Sequence, residues 1–161
     1  MGYTTEFKGR FKLDKPLKQE HRAYLLAFSE HRHCQWDIEK VKLLSDPIRE
    51  AANLPIGKDA GYFVGNVPDR SFVMNSNKAP KSQPSLYCKW VPSEDGEGIE
   101  WNGEEKFYFW EEWLWYLLVE FLEPWGYTLN GTVTWKGEAE DDYGVIIMRD
   151  NIDEVIWQGK G

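Results

Sequence analysis

An α+β fold is what this sequence predicts: two layers, with a mainly antiparallel sheet carrying two main helices on one of its faces. Three observations carry that expectation. Short runs of alternating apolar and polar residues open and close the chain, two stretches between them repeat apolar residues at helical spacing, and together they give the order βαββαβββ. Helices gathered on one face of such a sheet resemble a ferredoxin-like core with strands added at its end.

The first strand rests on Phe7, Phe11 and Leu13, which alternate with charged residues between Tyr3 and Leu13; Gly9 is expected to mark a bulge. After Asp14-Lys15-Pro16, the residues Leu17, His21, Tyr24, Leu25 and Phe28 share one helix face, and the helix is expected to run roughly to His33. A shorter helix is expected from about Asp46 to Ala52, with Pro47 in its first turn and Asn53 closing it. Pro55, Gly57, Gly61, Gly65, Pro68, Pro80 and Pro84 then break any period, leaving Tyr62-Phe63-Val64 as a short strand. Long loops commonly carry function, so the irregular stretch at about 65–85 is a first candidate for a binding site.

Leu86 to Val91 and Gly98 to Trp101 read as two strands joined by Ser93-Glu94-Asp95-Gly96-Glu97, because Asp-Gly adopts tight hairpin turns readily. A long helix is expected from about Glu104 to Glu123, stopped by Pro124 and Gly126. Tyr127 to Lys136, Gly144 to Arg149 and Asp153 to Trp157 complete the pattern as a three-stranded meander.

At 161 residues, 42% hydrophobic and 29% charged, the chain fits a single globular domain spanning 1–161. No run approaches the roughly 20 apolar residues of a membrane helix, and no secretory leader pattern opens the chain. Only Cys34 and Cys88 occur, outside any metal-ligand spacing, so a reducing, cytoplasmic setting is expected. The net charge of -8 is unevenly distributed, with +5 over residues 1–90 and -13 over residues 91–161. Phosphate backbones are bound by clustered Lys and Arg, so the acidic part argues against direct nucleic-acid binding and suits a basic partner. Acidic loops that keep the chain soluble and face its basic part explain the same charges without any partner.

Several strings are distinctive together: Gly2-Tyr3-Thr4-Thr5-Glu6-Phe7, Pro47-Ile48-Arg49-Glu50-Ala51, Trp90-Val91-Pro92-Ser93-Glu94-Asp95-Gly96 and Pro124-Trp125-Gly126-Tyr127 with Leu129-Asn130-Gly131. With them the chain resembles, over nearly its whole length, an uncharacterised family of bacterial and phage proteins. The resemblance implies a single intact domain and no activity. The segment His31-Arg32-His33-Cys34-Gln35-Trp36 departs from the family pattern, which looks more basic there.

No P-loop, no dinucleotide-binding glycine pattern and no local nucleophile motif occurs, so no cofactor is indicated and the reading leans away from an enzyme. His31, His33 and Cys34 are weak metal candidates: on a helix His31 meets Cys34 and His33 meets Asp37, and neither pair supplies three ligands. A helix end at which histidine meets carbonyls is the simpler expectation. Glu138, Glu140, Asp141 and Asp142 read as a solvated turn.

The strongest signal is aromatic, at 16% of the chain and concentrated in Phe107 to Tyr116. On a helical wheel Phe107, Trp110, Trp113, Leu114, Leu117, Leu118 and Phe121 form a core face, while Tyr108, Trp115, Val119 and Leu122 fall opposite among Glu111, Glu112 and Glu123. A helix apolar on both sides is either covered twice within its fold or offered to a partner. The leading expectation is therefore a protein-interaction or adaptor domain, using Tyr108, Glu111, Glu112, Trp115, Val119 and Leu122 to engage a basic protein or a second copy. The alternative is a small-ligand protein or enzyme with a pocket beneath the 65–85 loop, lined by Asn75, Asn77, Gln83, Tyr87 and Trp90. An acidic mimic of nucleic acid is the third.

Overall fold

A computed structural model describes residues 2–159. In chain order the elements are β1 (Glu6–Leu13), α1 (Gln19–Glu30), β2 (Gln35–Trp36), α2 (Ile38–Val41), α3 (Pro47–Ala51), β3 (Val73–Asn75), β4 (Trp90–Pro92), β5 (Gly98–Trp101), α4 (Trp110–Leu117), β6 (Leu129–Lys136), β7 (Tyr143–Arg149) and β8 (Ile152–Trp157). They fall into two units, Met1–Leu17 with Lys89–Gly161, and Lys18–Cys88.

The first unit is built on a sheet of order β4-β5-β1-β6-β7-β8 in which every neighbouring pair is antiparallel. β1 and β4 therefore run parallel with β5 between them, the split arrangement of a ferredoxin-like core, and β7 and β8 extend the sheet beyond β6. Period-two alternation sets the faces. Phe7, Phe11 and Leu13 stand opposite Trp135, Gly131 and Leu129, and Ile146 and Met148 of β7 continue that buried face. Lys8, Arg10 and Lys12 occupy the other, exposed face. The register through Gly9 is unbroken, so the expected bulge is absent; Gly9 is needed because its φ is +96° and a Cβ would lie 2.9 Å from the Thr132 carbonyl. Asp150 and Asn151, with φ of 48° and 70°, form the two-residue turn between β7 and β8.

The helix expected from Glu104 starts at Trp110 instead, because Lys106 and Phe109 take left-handed φ values of 61° and 57° that no continuous helix contains. Phe107 is still buried, but it enters the core from this irregular segment, with its ring 5.2 Å from that of Trp90. After α4 the chain makes a π turn over Leu118–Leu122 and a last helical turn over Glu123–Trp125, which ends at Gly126 with φ +87°.

In the second unit α1 buries His21, Tyr24, Leu25 and Phe28, as its spacing requires, and ends at Glu30 rather than near His33. α3 begins with Pro47, and Asn53 behind it is left-handed. Tyr62-Phe63-Val64 is not a strand. Phe63 instead forms a small core with Val41 and Ala60, against which Trp36, Leu44, Ile56, Val67 and Phe72 pack. Within the 65–85 stretch β3 pairs antiparallel with β2, Gln35 opposite Asn75 and Trp36 opposite Val73. A buried ion pair holds α3: Asp46 Oδ2 accepts from Arg49 Nε and from the Val64 N–H, each at 3.0 Å.

Candidate functional site

Three indoles run from the start of α4 to the edge of the sheet. Trp110 packs on Trp135 of β6 at 5.0 Å between ring centroids, and Trp135 meets Trp157 of β8 edge to face at 4.9 Å. Between the last two stands Gly144, in register with both Trp135 and Trp157. A Cβ on Gly144 would lie 2.4 Å from the Trp135 ring, so only glycine lets the indole cross β7. Trp110 is also fixed through its carbonyl, which accepts from the Trp90 indole N–H at 2.8 Å. The ladder leaves Trp157 at 56% exposure.

Beside it the first turn of α4 carries Glu111 and Glu112, both exposed. Partial burial, then the neighbouring carboxylates of Asp153 and Glu112, push the Glu111 carboxyl above its ordinary range. Asp153 lies on β8, opposite Met148 and on the same face as Val155 and Trp157. Trp115, one helical turn after Glu111, is 59% exposed. The start of α4 and the inner face of β8 thus make one surface of carboxylates and indoles.

Of the residues expected to face outward, Glu111, Glu112 and Trp115 do so. Leu122 does not: it is fully buried and Val119 is half-buried, because the wider π turn shifts the helical wheel and brings Leu118, Phe121 and Leu122 all inward. Tyr108 is exposed but belongs to the irregular segment, where its hydroxyl accepts from the Tyr3 N–H at 3.1 Å. Two aromatics that are more than half exposed went unassigned from sequence, Phe109 and Trp157. The period-two run Asp153, Val155, Trp157 at the end of a meander was the signal available for the second.

The five residues expected to line a loop pocket are held in separate ways. Arg32 gathers part of the set: its Nε donates to the Ser76 carbonyl at 2.8 Å, Nη2 to Asn77 Oδ1 at 3.4 Å, and its guanidinium lies over the Tyr87 ring. Asn75 Oδ1 accepts from the Asn77 N–H and closes a turn. Gln83 is buried, its amide donating to the Gly61 carbonyl at 2.8 Å, and Trp90 is in the core of the sheet unit. A different groove of about 410 Å³ opens in the second unit between Gln35, Trp36, Ile38, Asp59, Met74, Pro80 and Lys81. His31 stacks on Trp36 there, 5.3 Å between ring centroids.

α1 ends at Glu30, and beyond it the rings of His31 and His33 lie 5.4 Å apart. His33 Nε2 lies 2.8 Å from the Phe28 carbonyl in the last turn of α1, the helix-end contact expected of a histidine at this position. Burial drives His33 down to about 3 and His31 to about 4, and pushes the Cys34 thiol up. Among the described residues no group of three His, Cys, Asp or Glu is placed to hold a metal ion. In the acidic turn Asp142 accepts from the Tyr3 hydroxyl at 2.6 Å and from the Trp135 indole N–H at 2.9 Å, which gives that carboxylate a structural task.

No family model, no curated protein and no solved structure matches this chain. Among the described residues no helix is long and apolar enough to cross a membrane.

Proposed function

We propose that this protein is a cytoplasmic interaction domain that binds a basic protein partner through the acidic, aromatic surface of its sheet unit. The carrying observation is that Trp115 and Trp157 stand more than half exposed while flanking a group of carboxylates, in a unit whose core already holds many aromatic rings. Trp, Tyr and Arg dominate interface hot spots, and a rim of one charge selects a partner of the other. The sheet unit carries nine Lys and Arg against 19 Asp and Glu, a net -10, whereas the second unit carries ten against eight, a net +2. Such a field steers a cationic partner toward the sheet unit in particular. A phage association rests on the resemblance described above.

The test compares wild type and Trp115→Ala as immobilised baits, with light scattering on each and mass spectrometric identification of what is captured. A basic protein retained by wild type and lost by the variant, at unchanged melting temperature, is the expected result. A wild-type chain that retains no basic partner overturns the proposal.

A second reading has its own observation, the groove beside Trp36. An indole wall with Gln35, Asp59 and Lys81 around it offers stacking together with one amide, one anion and one cation, the composition of a small-ligand site. A thermal-shift screen with nucleotides and metabolites tests it. A ligand that raises the melting temperature of wild type and not of Trp36→Ala supports this reading.

A further inference from the structure

We propose that β8 is a docking strand: an extended, basic peptide segment of the partner adds to the sheet along Ile152–Trp157 and lays cationic side chains against Asp153 and Glu111. The inference rests on the interaction reading above and names the partner's chemistry and its mode of attachment.

β8 ends the sheet, with β7 on one side and no strand on the other among the described residues. Which of its backbone groups face outward follows from the ladder. Residues opposite one another in an antiparallel pair alternate between bonded and non-bonded. The Gln158 N–H donates to the Tyr143 carbonyl, so the bonded pairs continue as Ile156 with Val145, Glu154 with Ile147 and Ile152 with Arg149. The same parity emerges from the other side of β7, where the Gly137 N–H donates to the Asp142 carbonyl and assigns Gly144, Ile146 and Met148 to β6. The N–H and C=O groups of Asp153, Val155 and Trp157 are therefore directed toward the open edge.

The two edges of the sheet differ in how they are guarded. β4 is three residues long and ends in Pro92, two features that discourage further pairing. β8 is six residues long and has no proline, no Lys and no Arg, and its Ile152 is 74% exposed. Its guards are Asp153 and Glu154, and a guard made of carboxylates is selective. A second copy of this chain would bring the same carboxylates toward their duplicates, with a net -10 on each unit. Nucleic acid is repelled in the same way. A cationic strand is attracted, and its alternate side chains would meet Asp153, Trp157 and Glu111 on one face and Ile152, Glu154 and Ile156 on the other. The motif that fits has Lys or Arg at every second position and apolar residues between. Strand addition of this kind takes affinity from the backbone and specificity from the alternating side chains.

The experiment titrates the full chain into a fluorescently labelled peptide of about eight residues, alternating lysine and valine, and reads anisotropy. Two control peptides accompany it: glutamate in place of lysine, and the lysine peptide N-methylated at alternate residues, with unchanged charge and fewer backbone donors. Val155→Pro removes an outward N–H without touching the β7 ladder. The lysine peptide is expected to bind, the glutamate peptide to fail, and N-methylation or Val155→Pro each to weaken binding on the order of tenfold, the loss of one or two net hydrogen bonds. Lysine and N-methylated peptides binding alike would overturn strand addition while leaving a basic partner in place. The lysine peptide failing to bind wild type would also overturn it, and the capture comparison with Trp115→Ala would then decide the broader reading separately. The N-methylated peptide keeps the test valid if Val155→Pro unfolds.

Discussion

Trp135 and Trp157 meet edge to face, 4.9 Å between ring centroids, across a residue of β7 that has no side chain. That residue is Gly144, and a methyl group placed on it would lie 2.3 Å from the Ile156 carbonyl as well as 2.4 Å from the Trp135 ring. Both neighbours would have to move, one of them backbone of the edge strand. Gly144→Ala is accordingly expected to destabilise the chain by about 1–3 kcal/mol, as overpacking of a filled site does, and to loosen β8 more than β1. Urea unfolding measures the first effect and hydrogen exchange along β8 the second. An alanine variant as stable as wild type would mean that the indole ladder is held by something other than this fit.

Histidines held down by burial give the second unit an acid limb, His31 and His33 most of all. Both folded values, about 4 for His31 and about 3 for His33, lie below the ordinary histidine value, so the unfolded chain takes up protons first as the pH falls. The stability they contribute is complete above about pH 6.5 and is lost progressively on the way down to about pH 4 and then 3. For His31 alone the span corresponds to on the order of 3 kcal/mol. His31→Phe keeps an aromatic ring against Trp36 and Phe63 and removes the titration, so its melting temperature is expected to fall less steeply than that of wild type between neutral pH and about pH 4.5. Parallel curves would mean that His31 does not remain neutral in the folded chain.

How far sequence alone reaches is set by how local each signal is. Phe7, Phe11 and Leu13 announce β1 because one face of the strand is wet, and Asp150-Asn151 announces its turn because both residues tolerate left-handed φ. The start of α4 is hidden, since nothing in Lys106 or Phe109 as residue types demands their positive φ. The π turn is hidden for a related reason: one residue out of phase sends Leu122 inward, and a uniform helical wheel cannot register that. β2 and β3 are too short for any period. The candidate surface was legible where it lies on α4, in Glu111, Glu112 and Trp115. At Trp157 only the period-two run is legible, because its exposure follows from β8 being the last strand in the sheet, a fact of strand order.

Asp46 is the most consequential polar residue of the second unit. Its carboxylate is buried at 1% exposure and accepts from both the Arg49 guanidinium and the Val64 N–H. Asp46→Ala removes both partners at once and leaves a buried cation, for which a loss of about 3–5 kcal/mol is expected. Asp46→Asn retains a carbonyl oxygen for Val64 and should cost less. Chemical denaturation orders the two variants, and equal losses would mean that the charge on Asp46, not its acceptor geometry, is what matters.

Glu111 is expected to trade stability for binding. Its carboxyl is raised by partial burial and by Asp153 and Glu112, so the stability it contributes is present in full below the ordinary glutamate range and lost as the pH rises through its folded value. At neutral pH Glu111 is therefore a charge that the fold would hold more easily as a neutral group. Glu111→Gln is expected to raise the melting temperature at neutral pH and to leave it unchanged in acid. In the peptide titration the same substitution removes one of the two carboxylates that meet the incoming cation, so affinity should fall several-fold and its dependence on salt should flatten. Opposite movements of stability and affinity are the signature of a residue kept for a partner at some cost to the fold. A variant that gains no stability and loses no affinity would mean that Glu111 and Asp153 do not act on each other or on a shared ligand.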